Sequence, residues 1–376
     1  MSGIYIHIPF CKRRCRYCDF YSTTLTERAE AYIDAACQEL ISRKDYLKGD
    51  PVRTLYIGGG TPSQLSPTLL GRLIQTAAET YAFDRLLELT VEANPDDITP
   101  SWIDGISQAI SPFCAPRISM GIQTFHDDTL RLIGRRHDAS QAVQAVEMLQ
   151  DKGISHISID LMYGLPDETP ERWQQDLDKA LSLHVPHISA YHLSYEEGTP
   201  LWQMRQRGEV READENDSVA YFRMLRKALL DAGYIHYEIS NFALPGHQAI
   251  HNSSYWSGEP YLGIGPGAHS YDGTNRCWNK PDLLGYLKGD SIIEEETLTD
   301  DERYDEYIMT RLRTAKGIDF DEIARLFGEE KKRYCSRRAQ PHIKSHRLHV
   351  TPDGRLALTE EGIFVSDGII ADLFSE

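Results

Sequence analysis

The chain has 376 residues, of which 41% are hydrophobic, so it is long enough for more than one domain and for a sizeable core. Its formal net charge of -17 argues against a general nucleic-acid binder, because such proteins neutralise phosphates with a basic surface. No apolar run reaches the roughly 18 residues of a membrane span, and the opening MSGIYIHIPF lacks the features of a signal peptide. We therefore expect a cytoplasmic protein, and leave peripheral membrane association open.

Six short apolar runs, rich in β-branched residues, predict buried strands at 4–8, 54–57, 87–91, 117–122, 157–162 and 188–193. Helical patterns lie between them, at about 27–47, from 66 onward, at 139–152 and at 170–184. Strands that alternate with helices imply right-handed crossovers and a parallel sheet. The sequence therefore predicts an α/β fold in which six such units form a closed or partly closed barrel.

Three cysteines, Cys11, Cys15 and Cys18, follow the first predicted strand in the stretch CKRRCRYCDF. An odd number suits disulfides poorly, and in a reducing compartment clustered cysteines more often hold metal or take part in chemistry. Zinc would need a fourth ligand, for which His7 is the only close candidate. A [4Fe-4S] cluster held by three thiolates would leave one iron open for a substrate or cofactor. The CxxxCxxC spacing, with an aromatic residue before the last cysteine, favours the cluster.

Polar residues or glycines also stand at the ends of the other five predicted strands. The carboxyl ends of parallel strands meet on one face, so these residues should converge. A glycine run lets backbone N–H groups approach a ligand, a carboxylate can hold an ammonium group, and Asp can bind ribose hydroxyls. Each alone could be an ordinary turn or a solvated strand end. Together they suit an amino acid joined to a nucleoside; in strand order they are Gly58, Gly59, Gly60, Thr61, Glu92, Asn94, Gln123, Asp160 and His192.

The ordered motifs YIHIPF, CxxxCxYC, GGGTP, VEANPD, GIQTF and IDLMYGLP resemble those of the radical S-adenosylmethionine superfamily. Within it, the chain is similar to the oxygen-independent coproporphyrinogen III oxidase group over most of its length. The GGGTP run has neither GxGxxG nor a GK[ST] ending, so it fits neither a dinucleotide site nor a P-loop. The resemblance implies a partial (β/α)6 radical-SAM barrel, which we expect to span 1–240.

The resemblance also implies roles for individual residues. Cys11, Cys15 and Cys18 would bind a [4Fe-4S] cluster, and the methionine amine and carboxylate of S-adenosylmethionine would chelate its fourth iron. The reduced cluster would donate an electron that breaks the sulfonium C–S bond and forms a 5′-deoxyadenosyl radical, while the protein orients the reactants and excludes water. Residues matching the other cofactor contacts are Tyr5, Tyr17, Gly59, Gly60, Thr61, Glu92, Gln123, Arg135 and Asp160, with Arg136 as the alternative to Arg135.

Two features depart from the oxidase pattern. The oxidases carry CxxxCxxCxC and an N-terminal extension, whereas this chain has Phe20 at the last cysteine position and begins its first strand almost at once. These features resemble the HemW branch, whose members are regarded as heme chaperones that deliver heme to acceptor proteins such as respiratory enzymes. The implied ligand is heme and the implied partners are its acceptors. Anaerobic decarboxylation of coproporphyrinogen III is the alternative, and whether the chain is an enzyme is left open.

The stretch HNSSYW at 251–256 fits the HNxxYW motif of that branch. Histidine is a common donor to heme iron, and a nearby Tyr or Trp can pack on a porphyrin face. A His-Asn pair is also common in turns and caps, and the chain has 14 histidines. His251 is the tentative heme ligand, with His269 and His192 as further candidates.

The sequence changes character after Asp290, and 296–376 predicts a smaller α+β domain that 241–295 would connect to the barrel. EEETLTDDERYDEY indicates a capped helix start, GIDFDEIARLFG a short amphipathic helix, and LHVTPDGRLALT a hairpin turning at Pro352-Asp353-Gly354. This order is winged-helix-like. The basic stretch at 331–338 indicates a solvated helix face or an interaction surface rather than a DNA contact, since the whole chain is acidic.

Overall fold

The computed structural model of the chain describes residues 2–290 and 293–375. Six parallel strands run in sequence order through the centre of one sheet, and they correspond to the six predicted strands: β1 (Ser2–Ile8), β2 (Val52–Gly59), β3 (Glu88–Ala93), β4 (Pro116–Gln123), β5 (His156–Tyr163) and β6 (His187–His192). The strands are buried along almost their whole length, as expected for a parallel sheet covered by helices.

Helices connect consecutive strands: α1 (Ala29–Ser42), α2 (Pro67–Tyr81), α3 (Pro100–Ile110), α4 (Asp127–Ile133), α5 (Ala139–Asp151) and α6 (Pro170–Ser182). The residues that precede these helices form N-terminal caps. The Ser66 hydroxyl accepts from the backbone N–H of Leu69, and Asp138 and Gln141 form a capping box. α1 is shorter than the predicted 27–47, because 26–28 form a separate 3₁₀ turn and the helix ends at Ser42.

The sheet extends beyond these strands at both edges, to twelve strands. After α7 (Pro200–Gln206) and α8 (Glu215–Asp231), β7 (Ile235–Glu238) and β8 (Asn241–Ala243) form a hairpin next to β6. After α9 (Ile250–Trp256), β9 (Tyr261–Ile264) pairs in parallel with β1. The antiparallel strands β10 (His269–Tyr271), β11 (Asn275–Asn279) and β12 (Ile293–Thr297) follow, with α10 (Leu283–Leu287) before β12. The predicted α/β fold is confirmed, with a barrel that stays partly open.

The C-terminal region packs around its own hydrophobic cluster and consists of α11 (Asp300–Leu312), α12 (Phe320–Lys344), β13 (Leu348–Val350), β14 (Leu356–Leu358), α13 (Glu360–Ile363) and α14 (Ser366–Leu373). The predicted hairpin is β13 and β14, which pair antiparallel around a turn where Gly354 has φ of +83°. The predicted short helix is the first part of α12. At Gly328 the backbone leaves helical geometry (φ 90°, ψ 164°), and a second helical part continues to Lys344.

Charged side chains cover the second part of α12. Lys331 Nζ lies 2.6 Å from the Asp301 carboxylate, and Lys332 Nζ lies 2.7 Å from the Asp321 carboxylate. Much of the basic stretch is thus paired with acids of the same region. Across the part of the chain that the structure describes, no helix is both long enough and apolar enough to cross a membrane.

Candidate functional site

The three predicted cluster cysteines lie in the loop that follows β1. Cys11, Cys15 and Cys18 are free thiols, and all three line one cavity of about 480 Å³, here called the cysteine cavity. Backbone hydrogen bonds hold this loop: the Cys11 N–H donates to the carbonyl of Thr23 (2.9 Å), and the Arg16 N–H donates to the carbonyl of Ile133 in α4 (2.9 Å). The cysteine spacing therefore yields three thiols that border one space.

His7 is not available as the fourth ligand that a zinc site would need. Its Nδ1 accepts from the Tyr5 hydroxyl (3.0 Å), and its Nε2–H donates to the carbonyl of Tyr21 (2.9 Å). Among residues 2–290 and 293–375, no group of three or more His, Cys, Asp or Glu side chains has the geometry to hold a single metal ion. A [4Fe-4S] cluster requires a different ligand geometry, because each cysteine binds a different iron and the thiols need not converge on one point. The donor set therefore fits a cluster.

The glycine loop after β2 is shaped by close packing on the cysteine loop. Gly59 has φ of +107°, and a Cβ atom at this residue would lie 2.6 Å from the ring of His7. A Cβ atom at Gly60 would lie 2.7 Å from the carbonyl oxygen of Phe10. Glycine is therefore required at both positions. Their close approach brings the Thr61 hydroxyl within 3.5 Å of the sulfur of Cys11.

Two half-buried carboxyl groups, Glu92 and Asp160, line the cysteine cavity next to this loop. Glu92 accepts hydrogen bonds from the Tyr56 hydroxyl (2.7 Å) and from the backbone N–H of Gly59 (3.0 Å). Burial raises the pKa of Glu92 to about 7, and the neighbouring Asp160 adds to the rise. Burial also raises the pKa of Asp160, against hydrogen bonds from Ser189 and Ser119. A ligand with ammonium or hydroxyl groups would compensate these poorly hydrated carboxylates.

Arg135 and Arg136 both border the cysteine cavity but have different partners. The Arg135 guanidinium contacts the sulfur of Cys15 (3.4 Å), the side-chain oxygen of Asn94 and a backbone carbonyl of β4. Its Nε–H is buried and has no acceptor among the described residues. Arg136 instead forms an ion pair with Asp97 (2.9 Å). Of the two arginines, the preferred candidate Arg135 is therefore the one whose guanidinium contacts a cysteine sulfur.

The remaining predicted contacts divide between the cavity wall and the barrel interior. Gln123 lines the cavity at the end of β4, where its φ of +71° accompanies a register shift against β5 that aims the side chain. Tyr17 lines the cavity within the cysteine loop. Tyr5 lies deeper in the barrel, where its hydroxyl contacts His7 and its ring centroid is 6.1 Å from that of Tyr56.

The sequence interpretation missed three residues that hold the carboxyl groups. Tyr56 binds Glu92, and Ser119 and Ser189 bind Asp160. All three lie within buried strands, β2, β4 and β6. The available signal was a hydroxyl inside an otherwise apolar strand, since a buried polar group needs a partner.

The HNSSYW stretch forms α9, at the amino ends of the strands and therefore at the opposite end of the barrel from the cysteine cavity. His251 is fully buried, with its Nδ1 hydrogen-bonded to the Thr54 hydroxyl (2.8 Å) and its Nε2 to the Tyr255 hydroxyl (2.8 Å). Burial lowers the pKa of His251 to about 3, so the ring stays neutral. In this arrangement neither ring nitrogen is free for iron, and heme ligation by His251 would first require breaking one of these bonds.

The other two histidine candidates are more accessible. His192 lines the cysteine cavity, with its Nε2 hydrogen-bonded to the Ser218 hydroxyl (2.9 Å). His269 is exposed on β10, and its ring stacks on Trp278 with centroids 5.6 Å apart.

Fold and site together define a radical S-adenosylmethionine protein. Residues 5–180 match the family model described as Radical SAM superfamily, and 298–365 match the model described as HemN C-terminal domain. The chain belongs to the HemW family within this superfamily. Relatives named heme chaperone HemW include that of Lactococcus lactis, 36% identical over 364 residues and 94% of each chain, and that of Escherichia coli, 33% identical over 321 residues, 83% of this chain and 82% of the relative.

The architecture is similar to that of coproporphyrinogen III oxidase (HemN) from Escherichia coli, described as a radical SAM enzyme. The TM-score is 0.83, at 23% sequence identity, over 100% of this chain and 90% of that chain. At this identity the likeness shows a shared fold alone. The family models and the HemW relatives confirm the family resemblance that the sequence motifs indicated.

Proposed function

We propose that the protein is a heme chaperone that holds a [4Fe-4S] cluster and S-adenosylmethionine and delivers heme to acceptor proteins in the cytoplasm. The observation that carries the proposal is the single cavity on which the three cysteines and the strand-end carboxyl groups meet. Membership of the HemW family supports heme as the cargo, and acceptors such as respiratory enzymes as the partners.

In this proposal Cys11, Cys15 and Cys18 hold the cluster. Bound together, the cluster and S-adenosylmethionine supply one-electron chemistry. Glu92 and Asp160 accept hydrogen bonds from the amine or ribose hydroxyls of S-adenosylmethionine, and the Arg135 guanidinium supplies a positive charge at the cavity wall. All three groups are half-buried, which strengthens these interactions because water competes less for them.

A second cavity of about 520 Å³, here called the tyrosine cavity, supports heme binding away from the cluster. It lies between α9 and the C-terminal region and is lined by Tyr255, Trp256, Tyr261, Arg303 and Arg311. Aromatic faces pack on a porphyrin. Arg303 pairs with Asp300 (3.1 Å) and Arg311 with Glu322 (3.4 Å), so a heme propionate would have to replace these acids as a guanidinium partner. Two of these lining residues belong to the HNSSYW stretch, which gives that motif a role in heme binding without iron ligation.

Anaerobic decarboxylation of coproporphyrinogen III is the second candidate, favoured by the similarity to the HemN fold. Against it stands Phe20, which replaces the last cysteine of the oxidase pattern. The Phe20 side chain borders the cysteine cavity and is 65% exposed, so it presents an apolar surface where the oxidases have a thiol. The chaperone function is therefore the better supported of the two.

Anaerobic reconstitution with iron and sulfide, followed by two parallel assays, separates these functions. Heme titration followed by absorbance should saturate, and coproporphyrinogen should remain unconverted under reducing conditions. A Cys15→Ala protein should still bind heme, because the tyrosine cavity lies away from the cysteines. Carbon dioxide release with formation of 5′-deoxyadenosine would favour the oxidase, whereas the absence of saturable heme binding would contradict the chaperone.

A further inference from the structure

His251 is fixed from several sides within the amino end of the barrel. A Cβ atom at Gly3 would lie 3.2 Å from the His251 ring and 2.8 Å from the Thr54 hydroxyl, so only glycine leaves room for the ring to reach Thr54. The Glu88 carboxylate accepts from the backbone N–H groups of Ile250 (2.8 Å) and His251 (3.0 Å) and so anchors the start of α9. Three strand residues, Gly3, Thr54 and Glu88, thus hold His251 and its neutral imidazole in place.

The His251 ring packs on Tyr56 in the interior of the barrel. Their ring centroids are 5.2 Å apart and the planes are inclined by 29°, which is a stacked arrangement. Tyr56 lies on β2 between the two ends of the barrel, and its hydroxyl donates to Glu92 (2.7 Å). A continuous line of contacts therefore runs from α9 through His251 and Tyr56 to the carboxyl group at the cysteine cavity.

The position of Glu92 depends on this line because few other contacts hold the carboxylate. Its second oxygen accepts from the N–H of Gly59 (3.0 Å), which belongs to the glycine loop itself. A Cβ atom at Gly58 would lie 2.7 Å from the Tyr56 ring and 2.9 Å from the Glu92 carboxylate, so the two side chains meet only because glycine stands there. A shift of the Tyr56 ring would move the carboxylate or break the bond.

We propose that His251 and Tyr56 are positioning residues that hold Glu92 for S-adenosylmethionine, and that the histidine of the HNSSYW motif serves this purpose instead of ligating heme iron. The inference rests on the proposed binding of S-adenosylmethionine at Glu92. It makes α9 a link between the two ends of the barrel: Tyr255 both lines the tyrosine cavity and bonds to His251 (2.8 Å). A ligand that displaces Tyr255 would act on Glu92 through the same contacts.

The test uses the reconstituted full chain, with S-adenosylmethionine affinity measured by equilibrium dialysis and heme affinity by absorbance titration. Tyr56→Phe removes one hydroxyl and keeps the ring, so it should fold and retain the cluster while binding S-adenosylmethionine about tenfold more weakly. His251→Ala should give a similar loss of S-adenosylmethionine affinity, with an unaltered position of the heme Soret band, which reports iron ligation. His349→Ala, at an exposed position on β13, is the matched control and should change neither affinity.

The double variant separates positioning from general damage to the fold. If both residues act through Glu92, their effects should not add. The double variant, His251→Ala with Tyr56→Phe, should then have the same S-adenosylmethionine affinity as the single variant with the lower affinity. Independent, additive losses would overturn the inference, as would unaltered S-adenosylmethionine affinity in Tyr56→Phe. A shifted heme Soret band in His251→Ala with normal S-adenosylmethionine affinity would establish iron ligation instead.

The outcomes also distinguish this inference from the proposed function. Wild-type protein that binds S-adenosylmethionine but no heme would contradict the chaperone function, and the Tyr56→Phe result would still decide the inference. Wild-type protein that binds no S-adenosylmethionine would overturn both.

Discussion

The two ends of the partial barrel carry similar polar groups but differ in what they leave for a ligand. At the carboxyl ends of the strands, three free thiols, two half-buried carboxyl groups and the Arg135 side chain border a cavity of about 480 Å³. At the amino ends, His251 has no exposed surface, and both ring nitrogens are bonded within the chain. The carboxyl end leaves thiols and carboxyl groups open to a ligand, whereas the ring nitrogens of His251 at the amino end are already used within the fold.

This difference shows why a motif does not by itself define a ligand site. The cysteine motif and the HNSSYW motif are comparably compact in the sequence, and both contain groups that bind metals. The structure separates them by the availability of atoms, since a donor already bonded and buried must lose that bond before it can bind anything else. The following substitutions test this difference between the two ends of the barrel.

The largest expected effect is loss of the cluster. Replacing Cys11, Cys15 or Cys18 by Ala removes one of three protein ligands, so reconstituted protein should lose its iron-sulfur absorbance and its bound iron. Cys277→Ala is the matched control: its thiol is buried on β11, where it contacts Arg43 (3.2 Å). Cys37, Cys114 and Cys335 should be dispensable as well. A Cys277→Ala protein that fails to form the cluster, with the three cysteines intact, would refute the assignment.

The next effect concerns S-adenosylmethionine. Glu92→Ala and Asp160→Ala should each weaken its binding by about 1–3 kcal/mol, the range for a lost hydrogen bond to a charged group. The cluster should survive both changes, because neither carboxyl group is expected to be an iron ligand. Equilibrium dialysis of the reconstituted proteins measures the loss directly. Unaltered affinity in both variants would mean that the ligand binds elsewhere.

A substitution at the amino end tests how tightly that end is packed. In Gly3→Ala the new methyl group would meet Thr54 and the His251 ring, so the free energy of unfolding should fall by about 1–3 kcal/mol, as for other overpacked cores. Denaturant unfolding gives the value. Gly368→Ala is the control, since a Cβ atom there, on α14, meets no neighbour within 4 Å. Equal stability of the two variants would show that the amino end is looser than described.

The smallest expected effect is a pH dependence at the carboxyl end. The raised pKa of Glu92, about 7, means that the folded chain holds this proton more tightly than the unfolded chain does. Its contribution to folding stability therefore falls as pH rises toward 7. Over the same window the carboxyl group ionises and becomes a better acceptor, so S-adenosylmethionine affinity should rise severalfold from about pH 6 to about pH 8. Glu92→Gln should reduce this rise in affinity. If the affinity of the variant rises equally with pH, a group other than Glu92 causes the pH dependence.

The central strands could be predicted from the sequence because each is a buried, nearly continuous apolar run. The strand at the edge of the sheet could not be predicted in this way. β12 (Ile293–Thr297) is exposed throughout and contains three consecutive glutamates, which indicate the start of a helix; only its pairing with β11 makes it a strand. The second part of α12 was indicated only by the basic stretch at 331–338, as a solvated helix face or an interaction surface, because Gly328 is a stop signal and the helix resumes directly after it.

The cysteine cavity followed from the rule that parallel strands end on one face, and all the predicted strand-end residues except Gly58 line it. The hydrogen-bond partners of those strand-end residues could not be predicted from this rule. In the sequence Tyr56 looks like an ordinary aromatic residue of the core. Its role appears only in the structure, where it contacts Glu92, 36 residues further along the chain. The burial of His251 depends likewise on Thr54, which is separated from it by 197 residues. Such long-range pairings leave no local signal in one sequence.

The most direct test of the central claim is an electron paramagnetic resonance spectrum of the reduced, reconstituted protein with and without S-adenosylmethionine. Three cysteine ligands leave one iron of a [4Fe-4S] cluster open, so the added ligand should change the spectrum of the reduced cluster. The change should persist in Cys277→Ala. A cluster signal that S-adenosylmethionine leaves unaltered, in protein with full iron content, would contradict the account.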